Sequence, residues 1–307
     1  MPLLRSAFIA LSRSRAVRRF SEHSRAGTKL SSRFVAGLTL EDALRTTEAV
    51  NRQGIHVTLD SLGESVTSPD QAHKAAAIYH HLLDEIAARK LDSNISVKLT
   101  QMGLELDPAL AESIAEKLAE HAAATGNFLR VDMEDSSLTQ VTLDIVRRLH
   151  ARPNLRSHIG IVIQSYLYRS KDDIEQLIAD GIRVRLCKGA YKEPESVAFP
   201  KKSDVDANYV HLSGMLLSSP IYHGLATHDE AMIEAAKAYA RAHNIEPARF
   251  EFQMLYGVRR DLQRRLVAEG YNVRVYVPFG TEWYPYFMRR LAERPANALF
   301  ILKNLLR

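Results

Sequence analysis

The chain has 307 residues, of which 46% are hydrophobic and 25% are charged, a balance typical of a folded globular protein rather than a disordered or fibrous one. No apolar run reaches the roughly 18 to 20 residues that a membrane-spanning helix needs, so the sequence predicts no span. A single cysteine, Cys187, excludes an internal disulfide and favours a reducing, cytoplasmic location, and no ligand spacing among the 12 histidines predicts a metal site.

The formal net charge of +5 is concentrated at the start of the chain, where MPLLRSAFIALSRSRAVRRFSEHSR contains one acid, Glu22. This composition is typical of a mitochondrial transit peptide, and equally of an amphipathic helix with Leu4, Phe8 and Leu11 on one face. We expect a retained helix in peripheral contact with a membrane surface, because no cleavage-site signal ends the segment. Nucleic acid is not an expected partner, since no groove-reading or base-stacking motif accompanies the basic charge.

Residues 1–50 precede the first predicted strand and indicate an N-terminal helical extension, with a break and a new helix start in GLTLEDA from Gly37. Residues 51–307 are the predicted catalytic domain. We expect the extension to pack on this domain rather than to fold separately.

From His56 onward, short β-like runs alternate with amphipathic helical stretches. The predicted strands are HVTLD at 56, ISVKLT at 95, FLRVDM at 128, IGIVIQ at 159, RVRLCK at 183, HGLATH at 223, FEFQML at 250 and NVRVYV at 272. Capping patterns at Ser68-Pro69, Asp107-Pro108 and Ser170 mark helix starts between them. Eight strand–helix units predict an α/β fold, a (βα)8 TIM-like barrel. A doubly wound sheet is the alternative, but the GxGxxG fingerprint of dinucleotide-binding sheets is missing.

Side chains that alternate along these strands divide into an apolar set and a polar set. The polar set, which is expected to face the barrel interior, includes charges that must be paired or must meet a polar ligand. Its members early in the strands, Arg130, Arg183, Glu251 and Arg274, predict a structural charge lattice at the bottom of the barrel. Its members at the carboxyl ends of the strands, where catalytic groups of such barrels converge, are Lys98, Asp132, Gln164, Arg185 and Tyr276.

Eight motifs follow one another in a fixed order, each at a predicted strand end or on the last helix: SVKLTQMG, VDMED, IQSYLYR, VRLCKGAY, ATHDE, FEFQMLYG, RVYVPFG and YFMRRLAERPAN. By these motifs the chain resembles the bacterial monofunctional proline dehydrogenases from about Phe34 to its C-terminus. The resemblance implies a TIM-like barrel that binds FAD without a dinucleotide-binding domain. It also implies oxidation of L-proline to pyrroline-5-carboxylate, a step of proline catabolism toward glutamate, with electrons passed to a membrane quinone.

Carried over motif by motif, the resemblance assigns roles to individual residues. The proline pocket would be formed by Lys98, Tyr276, Tyr286, Arg289 and Arg290, and the catalytic residues would be Lys98, Asp132 and Arg185. Asp132 would hold Lys98 near the flavin. The FAD contacts would be Met133, Gln164, Arg185, Lys188, Gly189, Ala190, Tyr191, Thr227, His228, Gln253, Leu255, Tyr256 and Glu293.

The residue types fit this chemistry. An arginine pair suits a substrate carboxylate, because guanidinium groups bind carboxylates through two parallel hydrogen bonds. Arg185 beside a flavin would favour the negative charge that reduction adds.

Other interpretations stay open on the sequence. Lys98 could be the Schiff-base nucleophile of a lyase or aldolase with Asp132 as its proton partner, and this function needs no flavin. Asp229 in Thr227-His228-Asp229 could serve only as the cap of the next helix. Cys187 is expected to pack rather than react, and Tyr191 could have an ordinary loop role.

Overall fold

The structure is a computed structural model that describes residues 33–63, 65–284, 286 and 288. The predictions for the basic N-terminal segment and for Arg289, Arg290 and Glu293 therefore lie outside the described residues. None of the helices in the described ranges is long and apolar enough to span a membrane.

Eight parallel strands close into one barrel in sequence order, which confirms the predicted fold class. They are β1 His56–Ser61, β2 Ser93–Val97, β3 Leu129–Val131, β4 Ile159–Gln164, β5 Arg183–Cys187, β6 His223–Ala226, β7 Phe250–Leu255 and β8 Asn272–Phe279. Every predicted strand is present, but β2, β3, β5 and β6 end earlier than expected. Lys98 and Asp132 consequently lie just beyond their strands, at the carboxyl-terminal mouth of the barrel.

Helices alternate with the strands on the outside of the barrel. Those in the described residues are α1 Leu40–Asn51, α2 Pro69–Arg89, α3 Pro108–Ala124, α4 Thr139–His150, α5 Ser170–Ala179, α6 Lys202–Ser218, α7 Glu230–Ala242 and α8 Arg260–Ala268. The predicted starts at Ser68 and Asp107 are confirmed, since both side chains accept a hydrogen bond from the first turn. The predicted cap at Ser170 is wrong: Ser170 is already helical, and its hydroxyl donates to the carbonyl of Gln164 at 2.5 Å.

The apolar set of strand side chains is buried in the main hydrophobic core. The polar set lies on the other face of the strands, where Arg274 donates to both carboxylate oxygens of Glu251 at 2.9 and 3.0 Å. Arg130 donates to two main-chain carbonyls at 2.8 and 3.1 Å, and the guanidinium groups of Arg130 and Arg183 both lie over the ring of Phe128. At the bottom of the barrel, the Arg274–Glu251 ion pair therefore lies beside two further arginines. Main-chain carbonyls and the Phe128 ring hold Arg130, and the same ring contacts Arg183.

Helix α1 packs against both β1 and β8, so it fills the groove that the helix after β8 fills in a regular barrel. The chain after β8 instead packs at the mouth, where Trp283, Tyr284 and Tyr286 form a cluster with Phe34 and Leu62. This arrangement brings Tyr286 to the carboxyl ends of the strands, where a helix on the outer surface could not place it.

Candidate active site

A cavity of about 440 Å³ opens at the carboxyl ends of the strands, and this volume lies within the range of small-molecule sites. It is lined by Asp60, Leu62, Gly63, Lys98, Asp132, Met133, Val162, Gln164, Arg185, Cys187, Lys188, Gly189, Ala190, Tyr191, Lys202, Ala226, Thr227, His228, Asp229, Gln253, Met254, Leu255, Tyr276, Glu282 and Tyr286. These residues come from all eight strands or the loops that follow them, and from the segment after β8, so the cavity is built by the barrel as a whole.

The cavity gathers the residues that the sequence predicted to act together. Lys98, Tyr276 and Tyr286 of the predicted substrate pocket line it, as do Asp132 and Arg185. Of the predicted cofactor residues that are described, all line the cavity except one. The exception is Tyr256, whose ring lies beneath the guanidinium of Arg260, 5.3 Å from it, and whose backbone N–H donates to the carbonyl of Tyr276 at 2.9 Å.

Asp132 joins three side chains of the site through hydrogen bonds. Its carboxylate accepts hydrogen bonds from the hydroxyl of Ser96 at 2.5 Å, from the hydroxyl of Tyr276 at 2.9 Å and from the guanidinium of Arg185. Burial alone would raise the pKa of Asp132, but the charges of Arg185 and Lys98 hold that pKa below its ordinary value. Asp132 is therefore an ionised carboxylate that fixes three surrounding side chains.

Asp60 is the nearest partner of Lys98, and sequence reasoning assigned it no role at the site. The Lys98 ammonium donates to both oxygens of Asp60 at 3.1 Å, whereas its nearest Asp132 oxygen is 3.6 Å away. The sequence predicted that Asp132 holds Lys98. In the structure Lys98 lies between two carboxylates, and Asp60 is the closer of the two. Its position in the sequence could have indicated this role. Asp60 belongs to the polar set near the end of β1, and β1 pairs with β2, the strand that leads to Lys98.

The protonation of these groups bears on what Lys98 can do. Burial would lower the pKa of Lys98, but the carboxylates of Asp60 and Asp132 outweigh burial and raise that pKa above its ordinary value. A Schiff-base lysine must be neutral to attack a carbonyl and is typically found with a lowered pKa. The paired, charged Lys98 disfavours the lyase interpretation and suits an electrostatic role.

Glu134 is a second carboxylate that the sequence did not assign. It is buried behind the mouth of the cavity and accepts from the backbone N–H of Thr100 at 3.1 Å and from the Thr100 hydroxyl at 2.6 Å, while its carbonyl accepts from the Gln164 amide at 2.7 Å. Burial raises the pKa of Glu134 to about 7 despite the two bonds from Thr100. Glu134 thereby ties the loop after Lys98 to the end of β4, which carries the cavity residue Gln164.

The KGAY motif forms a turn at the end of β5. Gly189 has φ +107°, a conformation that favours glycine, and a side-chain carbon there would approach the ring of Tyr166 within 2.3 Å. The Lys188 ammonium contacts Asp206 at 2.5 Å and Asp229 at 3.0 Å. The turn therefore presents a compact backbone and a positioned cation to the cavity, both suited to phosphate oxygens.

The two interpretations of Thr227-His228-Asp229 prove compatible. Asp229 caps α7 by accepting from the backbone N–H of Ala231, while all three side chains line the cavity. His228 accepts a hydrogen bond from the backbone N–H of Leu255 at 2.9 Å, which fixes its ring between two strand ends. In the described part of the chain, no group of three or more histidine, cysteine or acidic side chains could hold a metal ion.

The comparison with known proteins agrees with this geometry. The family model described as proline dehydrogenase matches residues 43–303. Proline dehydrogenase 1 of Bacillus subtilis subsp. natto is 42% identical over 306 residues, covering 99% of this chain and 100% of the relative. A proline dehydrogenase of Deinococcus radiodurans is 43% identical over 283 residues, covering 91% of this chain and 90% of the relative.

A solved structure shares both fold and sequence with this chain. It is proline utilization A from Bdellovibrio bacteriovorus inactivated by N-propargylglycine, which superposes with a TM-score of 0.84 at 26% identity. The match covers 96% of this chain but 37% of that longer chain. The chain is thus similar to single-function relatives over their whole length and to one part of a larger protein.

Proposed function

The chain belongs to the proline dehydrogenase family, and from that premise we propose that it oxidises L-proline to pyrroline-5-carboxylate with bound FAD and passes the electrons to a membrane quinone. The observation that carries the proposal is the convergence of the Lys98, Asp132 and Arg185 cluster with the KGAY turn in one cavity. In cells this reaction would be a step of proline catabolism toward glutamate.

The residues around the cavity fit FAD. Lys188 and the Gly189-Ala190 turn suit the pyrophosphate, because a fixed cation and a compact backbone can approach its oxygens. Gln164, Gln253 and Thr227 supply polar side chains, and Met133 and Leu255 supply apolar surface. When bound, FAD supplies a two-electron acceptor for hydride.

The protein's own residues bind and orient the substrate. Oxidation removes a hydride from the ring carbon next to nitrogen and a proton from the nitrogen, so the ring must be held in one orientation. We propose that Arg289 and Arg290 bind the carboxylate, that Tyr276 and Tyr286 bound the ring, and that Glu293 contacts the cofactor or an arginine. Lys98 and Arg185 place two cations at the base of the cavity, where they stabilise negative charge gained on reduction.

Replacing Arg289 by lysine is expected to raise the Michaelis constant for proline by about tenfold, because lysine keeps the charge and loses the two-pronged hydrogen bond. Flavin should remain bound at the wild-type ratio. The measurement is steady-state kinetics with an artificial dye, together with the flavin-to-protein absorbance ratio. An unchanged Michaelis constant, or flavin loss in this variant, would contradict the carboxylate role.

Absorbance spectroscopy tests the whole proposal. The purified protein should show flavin bands that bleach on anaerobic addition of L-proline and return when a short-chain quinone is added. A colourless protein, or bands that proline leaves unchanged, would overturn FAD-dependent oxidation. A colourless protein that borohydride links covalently to an aldehyde or ketone substrate would instead support the Schiff-base chemistry of Lys98, because an imine forms from a lysine amine and such a carbonyl group, which proline lacks. Bands that bleach but do not recover with quinone would reject the proposed acceptor alone.

The domain arrangement and location are further parts of the proposal. We propose that residues 51–307 form the catalytic barrel, that residues 1–50 are an extension packed on it, and that the protein works in the cytoplasm with peripheral membrane contact through its N-terminal segment. The basic composition of residues 1–25 supports the contact. Co-sedimentation of the full chain with anionic vesicles tests it, and failure to sediment would reject it.

A further inference from the structure

The loop between β5 and α6, residues 188–201, lies against two neighbouring loops at the mouth of the barrel. Its first part is the KGAY turn, which lines the cavity, and its second part returns along the chain after β4. Glu193 lies in this loop, and its side chain contacts both the loop after β3 and the loop after β4. None of the sequence motifs singled it out. Glu193 is half-buried, whereas the next acid on the loop, Glu195, is exposed.

Glu193 accepts hydrogen bonds from two other loops at once. The backbone N–H of Ser136, in the loop after β3, donates to one carboxylate oxygen at 2.8 Å, and the Ser136 hydroxyl donates to the other. The hydroxyl of Tyr166, in the loop after β4, donates at 3.3 Å. Burial and the nearby Glu193 charge raise the pKa of Tyr166, so its hydroxyl keeps its proton.

Tyr166 connects this contact to the cavity turn. Its ring fills the space against Gly189, its backbone N–H donates to the carbonyl of Lys188 at 3.0 Å, and its carbonyl accepts from Phe199 at 2.8 Å. One residue therefore touches the beginning of the loop, its end and the Glu193 carboxylate. Displacement of Glu193 would release Tyr166 from one side and with it the backing of Gly189.

We propose that Glu193 is a positioning residue that holds the KGAY turn in its cofactor-binding conformation by joining the loops after β3, β4 and β5. The inference rests on the proposed FAD site. A hydrogen bond to a carboxylate is stronger than one between neutral groups, and three such bonds to one side chain order a loop whose open form would expose them to water. The turn is thereby preorganised before the cofactor arrives, which lowers the entropic cost of binding.

The test compares three variants of the full-length enzyme. Glu193→Ala removes all three bonds. Glu195→Ala removes the same charge from the same loop; within the described part of the chain, Glu195 forms a hydrogen bond only through its main-chain carbonyl, which accepts from the Tyr168 hydroxyl. Glu193→Gln keeps one oxygen to accept from the Ser136 N–H, and its amide group can donate to the Ser136 hydroxyl.

Two measurements decide. FAD release on dilution, followed by the rise in free-flavin fluorescence, should be about tenfold faster in Glu193→Ala, which corresponds to roughly 1.4 kcal/mol. Amide hydrogen exchange across residues 188–199 should be faster in the same variant. Glu195→Ala should match the wild type in both, and Glu193→Gln should stay within about threefold of it, a loss well under the 1.4 kcal/mol of a tenfold change.

The outcomes separate this inference from the proposed function. If Glu193→Ala releases FAD no faster than Glu195→Ala, the positioning role is overturned while the FAD site stands. If the wild type carries no flavin, the proposed function fails. Unchanged exchange in Glu193→Ala would then also reject the ordering of the loop, and faster exchange confined to residues 188–199 would support it independently of flavin.

Discussion

Replacing Asp132 by asparagine is expected to lower kcat/KM for L-proline by about a hundredfold. The carboxylate of Asp132 accepts from Ser96, Tyr276 and Arg185 and lies 3.6 Å from the Lys98 ammonium. The asparagine side chain has only one oxygen that can accept a hydrogen bond. Its NH₂ group is a donor and would face one of the groups that donate to Asp132. Removing one preorganised polar group from an active site raises the activation free energy by about 3 kcal/mol, and roughly 1.4 kcal/mol corresponds to a tenfold rate change.

The measurement is dye-coupled steady-state kinetics, with flavin content determined on the same sample. The matched control is Ser96→Ala, which removes a neutral hydroxyl that donates to the same carboxylate and accepts from Arg185 but leaves the charge of Asp132 in place; it should reduce kcat/KM by about tenfold at most. If Asp132→Asn keeps kcat/KM within threefold of the wild type, Asp132 does not organise the reactive cluster. Equal effects of the two variants would show that the hydrogen bond matters and the charge does not.

The sequence predicted the barrel because its signals are local. Alternation of apolar and polar side chains depends on neighbours in one strand, and caps such as Ser68 and Asp107 depend on the next turn of one helix. The wrong prediction at Ser170 has its cause in a contact to the preceding strand end, which the capping pattern does not include. Its hydroxyl bonds the carbonyl of Gln164 at the strand end, so the helix begins one residue earlier in the turn than the capping pattern suggested.

Local sequence rules could not predict contacts between side chains on different strands and loops of the barrel. Lys98 and Asp132 were found by their positions at the carboxyl ends of the predicted strands, but the closer contact of Lys98 with Asp60 depends on the register of β1 against β2. The same holds for Glu193 and Ser136, which are 57 positions apart. The resemblance located the cavity residues, and the geometry assigned them partners.

The placement of α1 is another long-range outcome. Its capping box at Thr39 is readable in the sequence, but its position in the groove between β8 and β1 depends on where the chain after β8 goes. Because that chain packs with Phe34 and Leu62 at the mouth, Tyr286 joins the cavity. The resemblance predicted that Tyr286 lines the proline pocket, and the packing of the chain after β8 at the mouth explains why Tyr286 lies in the cavity.

Replacing Lys98 by methionine is expected to reduce kcat/KM at pH 7 by a hundredfold or more, which corresponds to a rise of about 3 kcal/mol in the activation free energy. Methionine fills a similar volume without charge, so Asp60 and Asp132 would face each other across the cavity with one cation, Arg185, left to compensate. Burial already raises the pKa of Asp60 against the opposing charge of Lys98, and Lys98 helps to lower the pKa of Asp132. Loss of the ammonium should raise both pKa values.

The sign of the pH effect follows from those two shifts. A carboxylate with a raised pKa is ionised only at higher pH, so activity that needs the ionised form is lost earlier as the pH falls. The acid limb of the plot of kcat/KM against pH should therefore shift to higher pH in Lys98→Met. An acid limb that stays in place or moves to lower pH would contradict the electrostatic role of Lys98.

A double variant separates the chemistry from the stability of the fold. In Lys98→Met with Asp60→Asn, the unpaired buried charge is gone, so the free energy of unfolding should recover by about 1 to 3 kcal/mol relative to the single variant. The activity should not recover, because the cation that stabilises charge at the cavity is still missing. Recovery of both would mean that Lys98 contributes to catalysis only by neutralising Asp60, and that Arg185 alone supplies the positive charge for the proposed flavin reduction.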